Sequence, residues 1–200
     1  MLACGMELAD PKVNLDDYET SYLQKNGSLY IELHRQLFQS EWDFFDEMNH
    51  FFVGVHERAE TITIQGTPVC TLNPTDHMFY LICHSFKHFM SCGFGIRQVC
   101  DICMYSNAFG KQIDWKKIQL QCETIRAELF AAALFRIGEK YLNFHPDAAC
   151  YPDGWRALVI DEMPILEDLL LSGAYGKTSE SRVHSRNVTL NAISARKHGK

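Results

Sequence analysis

The sequence predicts an α+β fold: residues 1–72 carry short strands, and residues 73–200 form a mainly helical domain with an open-ended tail. Three observations predict it. Two pairs of short aromatic or β-branched runs, each pair joined by a turn-forming cluster, lie before residue 73. From Asn73 onward the apolar residues recur at helical spacing, with capping residues or glycines between runs. Hydrophobic residues are 46% of the chain and charged ones 22%, which is ample apolar material for a core.

The elements follow in order. Tyr18 to Leu23 and Ser28 to Leu37 flank Lys25-Asn26-Gly27 and read as a hairpin. In the second run Leu29, Ile31 and Leu33 alternate with Tyr30, Glu32 and His34, which is strand periodicity. Leu29, Leu33 and Leu37 also repeat at four, so a helix stays open there. Trp42 to Arg58 reads as a helix rich in Phe. Thr61 to Ile64 and Val69 to Leu72 form a second hairpin around Gln65-Gly66-Thr67-Pro68. Asn73-Pro74-Thr75-Asp76 then caps a helix running to about Ser91, which Gly93 and Gly95 break.

The next helix spans Ile96 to about Asn107, with Gly110 following. Asp114 caps Trp115 to Thr124, which leads into a helix through Tyr141. Asn143 to Gly154 is expected as a Pro-containing loop and Ala157 to Leu171 as helix. The tail from Gly173 is rich in Ser, Lys, Arg and Gly, as in a disordered end or a chain cut in mid-structure.

Composition narrows the function classes. A net charge of −6 argues against a general nucleic-acid binder, which needs clustered cations to displace counterions from phosphates. It leaves room for a nucleotide substrate, which needs only a few placed cations. No stretch reaches the roughly 18 apolar residues of a membrane span. The start, Met1 to Glu7, has neither a basic region nor a long apolar one, so no signal peptide is expected. The eight cysteines sit mostly among apolar neighbours in helical runs, which fits reduced thiols and a cytoplasmic location.

The densest polar set is Asp76, His77, His84, Lys87, His88, Arg97 and Asp101. His77, His84 and His88 are spaced by seven and four, so they share a helix face with Tyr80, and Lys87 stands at its edge. Arg97 and Asp101 lie four apart on the next helix. Two imidazoles, an ammonium and a guanidinium facing one cleft would suit a polyphosphate. The plainer reading is a packed His pair and an intrahelical ion pair. A zinc site is a further reading, since His84 and His88 are followed by Cys100 and Cys103. Val99, Ile102 and Met104 around that C-x-x-C point instead to buried thiols. Glu32 and His34 face one side of their strand together, where a carboxylate can bind a metal or act as a base.

These residues carry a resemblance. Ser28 to Phe38 is similar to the "I-[DE]-L-H-x-x-L-F" segment of a family of uncharacterised bacterial nucleotidyltransferases. Leu72 to Phe89 resembles its "L-x-P-x-D…H-x-x-K-H" helix, and Gly95 to Ile102 its following helix with Arg and Asp four apart. Asp114-Trp115 matches a recurrent "D-W", and Gly173 through Arg182 resembles a glycine-turn region. The similarity covers nearly the whole chain. It implies the minimal, polymerase-β-like superfamily: a remnant of a nucleotidyltransferase-type sheet followed by a helical domain. It implies transfer of a nucleotidyl group from an NTP, ATP above all, to an unknown acceptor. Mg²⁺ would be held by three carboxylates.

On this resemblance Glu32 is the catalytic residue and third metal ligand. His84, Lys87, His88 and Arg97 contact phosphate or base, with Asp101 orienting Arg97. The other two carboxylates belong to a Gly-Ser…D-x-D segment ahead of that strand, and no such segment precedes Ser28 here. A formal match, Gly27-Ser28 followed by Glu41-Trp42-Asp43, requires Leu29 to Gln39 to be helix. The chain is therefore expected to be a fragment, silent or very weak in catalysis by itself. The rival from another class is a non-catalytic helical module that binds a protein partner.

Overall fold

The computed structural model describes residues 1–38, 43–91 and 93–173. The expectations that fall on Glu41 and Trp42, on Cys92 and on the tail beyond Gly173 lie outside the described residues. The fold is α+β, as the sequence predicts, with two small antiparallel sheets and a run of helices. The chain forms two compact units, Met1–Val53 and Gly54–Lys200. The position between residues 72 and 73 falls inside the second unit, where a hairpin gives way to the first long helix.

The first unit holds a three-stranded sheet in the order β1-β2-β3, with β1 at Met6–Leu8, β2 at Glu19–Gln24 and β3 at Tyr30–His34. The predicted hairpin is β2–β3. Its turn closes with the Gly27 amide on the Gln24 carbonyl (2.7 Å), and Gly27 takes a positive φ of 71°. The pairing makes Tyr30–His34 a strand, which settles the choice the leucine spacing left open. It also removes the helix that the Gly27-Ser28…Glu41-Trp42-Asp43 match required.

Thr20 and Tyr22 of the central strand are buried, whereas Leu29 and Leu33, expected to point inward, are 48% and 46% exposed. The reason is position: β3 lies at the sheet edge, so one flank of its side chains goes uncovered. The strand β1 was not anticipated, since three residues are too few to show a period. A short helix, α1 (Asp43–His50), completes the unit. Phe38, Phe45, Met48 and Phe52 are buried, and the Asn49 amide pairs with the Phe38 backbone like a strand neighbour, at 3.1 and 2.8 Å. The helix expected through Arg58 is shorter because Gly54 adopts φ 67°, and Val55–Arg58 is a separate 3-10 turn.

The second unit opens with β4 (Glu60–Ile64) and β5 (Thr67–Thr71), joined by Gln65 and Gly66 at φ 50° and 82°, the pair of left-handed residues that a two-residue hairpin needs. Helix α2 (Pro74–Ser91) starts where Asn73 Oδ1 accepts from the Thr75 and Asp76 amides, both at 3.0 Å. Helices α3 (Ile96–Phe109), α4 (Trp115–Thr124) and α5 (Glu128–Leu142) follow close to prediction. Helix α5 is the core: Phe130 through Phe135, with Ile137 and Gly138, is buried on several sides.

Two glycines let backbones approach. A methyl on Gly138 would meet Cys103 Sγ of α3 at 2.4 Å, and one on Gly110 would meet the Ala149 carbonyl oxygen at 2.3 Å.

The last stretch departs from prediction. The expected loop contains two short helices, α6 (Pro146–Ala149) and α7 (Asp153–Ala157). The expected helix from Ala157 begins only as α8, Met163–Ser172. Between them Arg136 of α5 donates to the carbonyls of Arg156, Leu158 and Ile160 at 3.3, 2.7 and 2.9 Å. Carbonyls used in this way are lost to a helix ladder, so the segment stays extended.

Candidate active site

Two groups of polar residues, one in each unit, bear on chemistry. In the first unit the register of β2 and β3 sets Glu19 opposite His34 and Ser21 opposite Glu32. Side chains two apart on a strand share a face, so Glu32 and His34 stand together, as the sequence predicts. His34 Nε2 lies 3.7 Å from a Glu19 carboxylate oxygen and 3.9 Å from one of Glu32. Glu32 is half exposed, which suits a carboxylate that meets a ligand from solvent. Sequence reasoning missed Glu19, although the turn at Asn26-Gly27 already places it across from His34.

In the second unit the histidines of α2 divide. His77 packs on Tyr105 of α3, ring centres 4.5 Å apart, whereas Tyr80, His84 and His88 form a chain of their own. Tyr80 stacks on His84 at 5.6 Å, and the Nε2 atoms of His84 and His88 are 3.0 Å apart. That separation is a hydrogen bond in which one imidazole donates and the other must be neutral to accept. Lys87 is half-buried beside this chain. Arg97 and Asp101 are paired at 3.9 Å on an exposed side of α3.

Asp76, placed among the polar set by sequence, is instead 2% exposed and tied to Arg58 (2.9 Å), Asn73 (2.9 Å) and Lys117 (3.0 Å). Burial alone would raise its pKa; the bonds from Lys117, Arg58 and Asn73 outweigh that and hold the carboxyl below its ordinary range. It is a fastening between the start of α2, the 3-10 turn and α4.

The zinc reading does not hold. Among the described residues, the group of at least three His, Cys, Asp or Glu donors that gathers within 4.8 Å is Glu19, Glu32 and His34, not His84, His88, Cys100 and Cys103. Burial pushes the Cys103 thiol up to about 12, so it stays protonated.

Burial lowers the pKa of His77, and burial together with the charge of Lys87 lowers that of His88. The unfolded chain therefore takes up protons at these rings before the folded one does. Stability is expected to fall as pH drops below the ordinary histidine value of 6.5, and again below 3.8 as Asp76 protonates. Thermal denaturation between about pH 8 and pH 3 checks this, and a curve flat down to about pH 5 would count against the histidine part.

No curated protein and no solved structure matches the chain. The sequence model of one family, described as uncharacterised nucleotidyltransferase, matches residues 1–143, which take in the three-stranded sheet, the second hairpin and helices α2 to α5. The described residues contain no helix long and apolar enough to cross a membrane. With the match spanning well over half of its length, the chain belongs to the uncharacterised nucleotidyltransferase family.

Proposed function

We propose that the protein takes part in Mg²⁺-dependent transfer of a nucleotidyl group from an NTP, ATP first, to an acceptor. The observation that carries this reading is Glu32. It stands half exposed on β3, in the Ile31-Glu32-Leu33-His34 run that resembles the family's metal-binding strand, with a second carboxylate, Glu19, on the same face. Oxygen donors of this kind fit Mg²⁺, which is usually held by one or two carboxylates together with substrate phosphates. Bound there, Mg²⁺ would supply positive charge to the phosphoryl oxygens. Glu32 and Glu19 hold position on a paired strand.

On α2 and α3, Lys87 and Arg97 supply mobile and forked cations for phosphate, His84 and His88 supply ring donors, and Asp101 orients Arg97. Binding of the nucleotide is the direct test of these residues, since it reads their contacts with phosphate before any transfer.

Titration of ATP with Mg²⁺ into the purified chain is expected to show binding that weakens at least about tenfold in Lys87→Ala and in Arg97→Ala, as the loss of a charged hydrogen-bond donor implies. Binding that is unaffected by both, or no Mg²⁺-dependent binding at all, would sink the assignment of α2 and α3 to phosphate. It would favour a protein-interaction module.

A further inference from the structure

We propose that Glu19, Glu32 and His34 form a binding site for a transition-metal dication on one face of the β2–β3 hairpin. One ligand atom from each lies within 4.8 Å of the others. The spacing is the first argument. His34 Nε2 stands 3.7 and 3.9 Å from the two carboxylates, beyond hydrogen-bond range. Donors around a tetrahedral dication with bonds of roughly 2.0–2.2 Å sit about 3.4 Å from one another, so a small closure brings all three into its coordination shell.

The histidine is the second argument. Among the described residues its Nδ1 is buried without a hydrogen-bond partner, and its Nε2 faces the two carboxylates at those long distances. An imidazole nitrogen set between two carboxylate oxygens, beyond hydrogen-bond distance of either, stands where one cation could bridge all three groups. The side chains of Glu19 and His34 are 28% and 25% exposed and that of Glu32 is 50% exposed, so the site is anchored from the sheet and open on one side for water or a substrate oxygen. Three protein ligands with an open position is the arrangement of reactive metal sites.

The donor set decides the class of ion. Mg²⁺ prefers oxygen alone and sheds its water reluctantly, whereas an imidazole suits the first-row transition metals. This inference rests on the proposed function only in taking Glu32 to face a cation; it needs neither a nucleotide nor any turnover.

The test is made on the full chain, stripped with a chelator and free of nucleotide. Mn²⁺ is the probe, since thiols compete poorly for it, and electron paramagnetic resonance counts the bound ion. One Mn²⁺ per chain is expected, with nitrogen hyperfine coupling from His34 and at least about tenfold preference over Mg²⁺ in competition. His34→Ala is expected to remove the coupling and weaken Mn²⁺ by at least about tenfold, and Glu19→Gln to weaken it similarly. The nitrogen coupling in the unaltered chain needs no variant to fold. Absence of a one-to-one site, a bound ion without nitrogen coupling, or displacement by equal Mg²⁺ would overturn the proposal. Any of these would leave the ATP titration with its own separate answer.

Discussion

Phe135→Ala is expected to lower the stability of the second unit by about 3–5 kcal/mol, measured by denaturant unfolding followed through tryptophan fluorescence. Phe135 is 2% exposed on α5, and its ring lies at the middle of an aromatic group. Tyr151 stacks on it at 4.5 Å, Trp115 meets it edge-on at 5.8 Å, and Trp155 lies 6.0 Å away. Those three residues come from α4, α7 and the loop before α7, so one ring joins three segments to the central helix. Its removal leaves a cavity that rigid aromatic neighbours cannot easily close. Two of the three tryptophans line that cavity, so the emission spectrum should shift even before unfolding. A loss under about 1 kcal/mol would show that the site collapses freely, contrary to this account.

Asp76→Ala is expected to cost about 2–3 kcal/mol. Breaking a buried ion pair usually costs more, because the surviving charge is stranded. Here Arg58 and Lys117 are 39% and 40% exposed and can regain water, which reduces the penalty. The contrast is Asp101→Ala, where the partner Arg97 is 3.9 Å away and both groups are exposed; its effect on stability should stay within about 0.5 kcal/mol. Equal losses in the two variants would mean that burial of Asp76 contributes nothing. Because Asp76 fastens the first turn of α2 to α4, its loss should also broaden the NMR signals of His84 and His88 further along that helix.

Periodicity and turn chemistry made most of the fold legible. Asn73, Asp114 and the glycines at 93 and 95 marked helix ends correctly because capping is local, settled by a side chain and amides two or three residues away. The same locality explains Gln65-Gly66 and Lys25-Asn26-Gly27. What was not legible came from distant partners. No pattern around Leu158 reveals that Arg136, more than twenty residues earlier, takes up its carbonyl. Asp76 was grouped with the polar set because a carboxylate at a helix start reads alike whether it meets solvent or is sealed by Lys117. Glu19 was within reach: mirror positions about Asn26-Gly27 put it against His34, but a register is needed before such a pair can be seen.

The Arg136 clasp has a consequence of its own for how the molecule responds to acid. Its donors are guanidinium N–H groups and its acceptors are amide carbonyls, so no carboxylate takes part in it. Asp76, at the start of α2, is an ion whose partners lose their hold once it is neutralised. Acidification therefore loosens the fastening at the start of α2 and the Lys140–Glu162 pair at the start of α8, while the Arg136 bonds to the extended strap just before α8 keep all their partners.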